Sequence, residues 1–162
     1  MIILLKGAII IIALLIQLTL INSVTILGLK PDLIMVVVVV FSLLKGEKEG
    51  TISGFATGLL QDIFSTGLLG INALAKTVIG FFSGIIKEKI FHEHLLFIIP
   101  VITFIASLIQ SILIILLLRA FGTEYDLAWS LKQIALPEAL YSSLLSPFIF
   151  LAIKKLFQMI KE

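Results

Sequence analysis

The sequence has no cysteine, one tryptophan and two tyrosines among its 162 residues, and only 14% of those residues are charged. Each scarcity excludes something. Without cysteine there is no disulfide, no thiol catalysis and no cysteine metal site. So few charges cannot dress a water-facing surface, for which soluble domains use about 25% charged residues. A net charge of +2 is too small for a nucleic-acid footprint. Enzyme signatures are missing as well: there is no HExxH, no GxSG and no Walker-type glycine loop. Ser53 precedes Gly54, but Thr51 breaks the rhomboid-like pattern, and no aspartate pair of the presenilin type occurs. This reading predicts neither an enzyme nor a cofactor.

Apolar side chains take the place of the missing charges. They make up 60% of the chain, and the mean hydropathy is +1.23. The solvent for such a surface is lipid. A membrane-spanning helix needs about 20 apolar residues. The runs predict an all-α, six-helix bundle forming one transmembrane domain over residues 1–162, with helices at about 7–25, 31–44, 50–65, 71–86, 95–118 and 134–153. Lys6 and the following apolar run have the shape of a signal peptide, but no small-x-small cleavage site follows, so a retained first helix is expected. The second helix is short for a bilayer. It must be shielded by protein, or be reached through a re-entrant stretch at residues 26–30.

Lysine placement sets the orientation. With the N-terminus inside, Lys6, Lys45, Lys48, Lys87, Lys89, Lys154, Lys155 and Lys161 are cytoplasmic. Only Lys30, Arg119 and Lys132 then lie outside, and Lys76 is left within the fourth helix. The sequence predicts a multi-pass protein with both termini inside.

Two rows of residues spaced four apart stand out. The third helix carries Gly50, Gly54, Gly58 and Asp62, and the fourth carries Asn72, Lys76, Gly80 and Gly84. Residues four apart share a helix face, and small ones let two backbones approach closely. A turn about Gly67 would set Gly50 against Gly84, Gly54 against Gly80, Gly58 against Lys76 and Asp62 against Asn72. The expectation is a tight hairpin with an Asp62–Lys76–Asn72 cluster. An ionisable residue in a membrane helix is a functional candidate. Here the pair could neutralise itself structurally, bind a partner, or line an ion path.

Other candidates are weaker. Pro31 is expected in the first turn of the second helix, with Asp32 beside its positive dipole end. Glu138, next to Pro137, reads as an interfacial cap one turn inside the sixth helix. Thr103, Ser107, Gln110 and Ser111 form a polar stripe of the kind that joins helices. His92-Glu93-His94 has no third ligand at helical spacing and reads as a solvated loop.

Several segments together resemble one family. They are Lys30-Pro31-Asp32-Leu33 with Leu44-Lys45-Gly46 and Glu49-Gly50, then Gly54-Phe55, Gly58-Leu59-Leu60-Gln61-Asp62, Gly67, Leu69-Gly70 and Asn72-Ala73-Leu74. Leu136-Pro137-Glu138-Ala139-Leu140 through Pro147 and a basic tail complete the pattern. In order and spacing these resemble the rod shape-determining protein MreD family. The resemblance implies a non-enzymatic scaffold in the bacterial inner membrane that supports lateral peptidoglycan synthesis. Its implied partners are an MreC-like protein first, then MreB, RodA and its transpeptidase partner, together with membrane lipids.

The competing class is a substrate-binding S component of an energy-coupling factor transporter, whose fold the family is thought to share. Such components dock through Ala-xxx-Ala rows on the first helix. Here Ala8 is followed by Ile12 and Ala13 by Gln17, so that row is missing.

Overall fold

A computed structural model describes residues 2–20, 30–65, 67–89, 95–124 and 126–161. All regular structure among them is helical. The helices are α1 (Ile2–Leu20), α2 (Leu33–Lys45), α3 (Glu47–Phe64), α4 (Ile71–Ile86), α5 (Leu95–Ala120), α6 (Leu127–Ser130) and α7 (Leu136–Lys161). A π-helical turn at Leu131–Ala135 makes α6 and α7 one continuous rod.

The short α2 is the centre of the molecule. Its residues from Ile34 to Leu43 are all buried. Five consecutive valines at 36–40 are apolar on every side, which suits a helix with neighbours all round. Branched side chains are mediocre helix formers, but burial overrides that preference. Around α2 pack Ile9 and Ala13 of α1, Ile79 of α4, Leu95 and Ile99 of α5, and Phe150, Ile153 and Phe157 of α7. At about 1.5 Å per residue, its 13 residues fall short of a bilayer. Enclosure by other helices removes the need to span one. The lead-in to α2 at residues 26–29 lies outside the described residues, as do His92, Glu93, His94 and Tyr125.

The outside of the bundle is oily. Phe97, Phe148, Leu144, Ile52 and Ile63 are each more than half exposed. Large side chains bared on every outer helix are what a lipid-facing surface requires. Two helices, Leu95–Ala120 and Leu127–Met159, are long and apolar enough to cross a membrane.

Two expectations need correction here. The last helix begins at Leu127 rather than near residue 134, because Asp126 caps it by accepting hydrogen bonds from the Ala128 and Trp129 N–H groups. Pro137 therefore lies inside the rod. Its ring would crowd the carbonyl one turn back. The wider π-helical turn just before it gives that carbonyl room. Glu138 is consequently not at a helix N-terminus and cannot cap one. Pro31, likewise, sits before the cap of α2 rather than in its first turn, since Asp32 is the N-cap and accepts from the Met35 N–H at 2.9 Å.

Candidate functional site

α3 and α4 form the most extensive helix–helix contact, and glycine is the reason. A Cβ built on Gly50 would strike the Gly80 carbonyl oxygen, and one on Gly54 the Lys76 carbonyl oxygen. One on Gly58 would strike the backbone at Asn72 and Ala73, and one on Gly84 the backbone of Glu47. Both small-residue rows therefore lie in the contact, but one turn out of the expected register: Gly50 meets Gly80, not Gly84. The cause is the hairpin's asymmetry. α3 runs about one turn beyond the first residue of α4, and the loop folds back to start α4 beneath it.

That overhang gives Asp62 its role. Its carboxylate stands over the first turn of α4, where N–H groups have no intrahelical acceptor. Oδ2 accepts from the Gly70 N–H at 2.9 Å and the Ala73 N–H at 3.0 Å. Oδ1 accepts from the Asn72 N–H at 3.1 Å and the Asn72 side-chain amide at 2.8 Å. Asp62 is thus a remote N-cap, with its negative charge against the positive end of the α4 dipole. Asp62 and Asn72 are together; Lys76 is not with them.

Lys76 instead points toward α2 and α5. It is fully buried, and its Nζ lies 2.6 Å from Asp32 Oδ2. It also donates to Gln110 Oε1 at 2.9 Å, while Gln110 Nε2 donates to Asp32 Oδ2 at 2.8 Å. The expected Asp62–Lys76 pair is therefore replaced by an Asp32–Lys76 pair closed into a triangle by Gln110. Lys76 begins the second turn of α4 and its side chain leaves the glycine seam, whereas Asp62 is already held by four donors above it. A buried lysine needs a carboxylate with spare acceptor capacity, and Asp32 has it.

Asp32 is the hub of this end of the molecule. Besides Lys76, Gln110 and its own cap bond to Met35, it receives the Gln17 side-chain amide of α1 at 3.5 Å. Gln17 in turn accepts from the Ile34 N–H at 3.0 Å. The Asp32 N–H donates to Ser142 Oγ of α7 at 3.0 Å. One aspartate thereby ties α1, α2, α4, α5 and α7. Sequence reading placed Asp32 at a helix start and Gln110 in a polar stripe, but joined neither to Lys76. The available signal was arithmetical: Lys76 is the one lysine deep in an apolar helix and must find an acid. Gln17 and Ser142 carried no signal at all.

A cavity of about 240 Å³ lies beside the triangle, lined among others by Asp32, Gln61, Asn72, Gln110, Ser130 and Glu138. Among the described residues no group of three or more His, Cys, Asp or Glu side chains is placed to hold a metal. The polar residues are arranged to tie helices together.

No curated protein matches the chain. The family described as rod shape-determining protein MreD matches over residues 1–160. An apolar helical bundle with Asp32, Asp62 and Lys76 buried inside it agrees with a membrane family, and the match covers nearly the whole chain. The chain belongs to the rod shape-determining protein MreD family.

Proposed function

We propose that the chain is a multi-pass scaffold subunit of the bacterial elongation machinery, seated in the inner membrane with both termini in the cytoplasm. Its task is to hold an MreC-like protein, and through it MreB, RodA and the partner transpeptidase, where lateral peptidoglycan is made. The family match over residues 1–160 carries this reading. Its support from the molecule is that the buried charges at Asp32, Lys76 and Asp62 are engaged in joining helices, which builds a stiff platform. Beyond the charged start of α3, exposed side chains of α3 and α4 such as Phe55, Leu74 and Phe82 are apolar and suit contacts within the bilayer.

The test is depletion of the protein in its own cells, with complementation by a tagged copy. Depleted cells are expected to round up. The tagged copy is expected to restore rods and to bring down the MreC-like protein from detergent extracts. Cells that stay rod-shaped on depletion would sink the reading. A small molecule recovered in its place, with no MreC-like protein, would favour the transporter class.

A further inference from the structure

Asp32, Asp62 and Glu138 stand at one end of the bundle interior, and the first two are fully engaged. Asp32 is neutralised by Lys76 and caps α2; Asp62 receives four donors and caps α4. The third, Glu138, lines the cavity, and no described residue gives it a hydrogen bond. It is close enough to Asp32 and Lys76 to feel both charges. Across the same cavity, Gln61 Oε1 is buried and has no donor either. Both groups are acceptors, and Glu138 is a carboxyl group that can carry a negative charge. Buried acceptors without donors are costly, more so when charged. The positive ends of α2 and α4, which also abut the cavity, are already answered by their caps.

The space is many times the roughly 30 Å³ that one water occupies in the liquid. Its rim is apolar, formed by Ile114 and Leu118 of α5 and Ile134 of the π-helical turn, and Ile134 is 41% exposed. Exposed cations, Arg119 and Lys132, stand in the chain beside those rim segments. A ligand matching all three zones has an N–H-bearing cation to go inside, an anionic group to stay at the rim, and an apolar remainder.

We propose that this cavity binds a primary ammonium group, with Glu138 as its counter-ion and Gln61 Oε1 as a second acceptor. The group comes from a phosphatidylethanolamine headgroup or from a free alkylamine. The headgroup suits the site: its ammonium goes inside, its glycerol and acyl portions lie along Ile114, Leu118 and Ile134, and its phosphate stays at the rim, near the segments that carry the exposed Arg119 and Lys132. A quaternary ammonium has no N–H to donate and does not satisfy the acceptors. The site is independent of the scaffold role: it stands or falls with the isolated chain.

The chain's single tryptophan, Trp129, stands next to the lining residue Ser130, and its fluorescence is the readout. The full chain in dodecylmaltoside is titrated with dihexanoyl-phosphatidylethanolamine, dihexanoyl-phosphatidylcholine and n-butylammonium chloride. Saturable binding of phosphatidylethanolamine is expected, with none for phosphatidylcholine. Glu138→Gln should weaken it about tenfold, the size of one lost charge-assisted hydrogen bond. Ile134→Lys, which supplies a cation at a partly exposed rim position, should abolish binding while leaving the circular dichroism unchanged. Phosphatidylethanolamine binding tighter than butylammonium assigns the site to the lipid; equal affinities assign it to a free amine. The proposal is overturned if neither amine binds saturably, if phosphatidylcholine binds as well, or if folded Glu138→Gln binds like the unaltered chain.

Discussion

Lys76 of α4 and Asp32 at the head of α2 meet at 2.6 Å, with their side chains 0% and 4% exposed. Forty-four positions separate them in the chain. Burying two charges is expensive, and their mutual attraction offsets that cost only with good geometry and further hydrogen bonds. Gln110 and Gln17 provide those bonds.

The pair makes a directional prediction. Lys76→Met strands Asp32 in the core and should destabilise the bundle by about 3–5 kcal/mol. Asp32→Asn in the same chain removes the stranded charge and keeps a side chain able to cap α2. The double variant should therefore be more stable than Lys76→Met alone. Adding Asp62→Asn to Lys76→Met should give no such recovery. Thermal unfolding in detergent measures all three; recovery by the Asp62 change instead would disprove the assignment of partners.

Asp62 makes a different, local prediction. Asp62→Ala withdraws the acceptor from three backbone N–H groups and one amide of the α4 start. Loss of a cap of this kind costs about 1–2 kcal/mol. The loss should appear as faster hydrogen exchange at Gly70, Asn72 and Ala73, with little change in the core around Val38. Uniformly faster exchange throughout the bundle would mean that Asp62 does more than cap.

Orientation is testable because the chain has no cysteine. Single cysteines can be placed at exposed positions without background. With both termini inside, Glu124→Cys should react with a membrane-impermeant maleimide in intact cells. Lys48→Cys and Lys155→Cys should react only after permeabilisation. The reverse pattern would invert the topology drawn from the lysines.

Much of this molecule was legible from local pattern. Gly50, Gly54 and Gly58 against Gly80 and Gly84 could be read as a close contact because small residues at helical spacing have few other uses in a membrane. The register could not, since it depends on how far α3 overhangs α4, and no spacing within either helix records that. Glu138 was misread for a related reason. Pro137 resembles a helix start, and only the π-helical turn before it lets the helix run through.

The sequence by itself determined that the chain lies in a membrane, that it is helical, and which two helices touch most closely. Composition and periodicity are properties of a stretch of chain and survive without neighbours. Tertiary structure alone decided that Lys76 answers Asp32 rather than Asp62, and that Glu138 faces a cavity with no donor among the described residues. Those outcomes rest on the rotation and axial offset of helices 44 and 78 positions apart in their contacting residues. In an apolar bundle the lipid-facing and protein-facing sides of a helix carry the same side chains, so that geometry leaves no mark on the linear pattern.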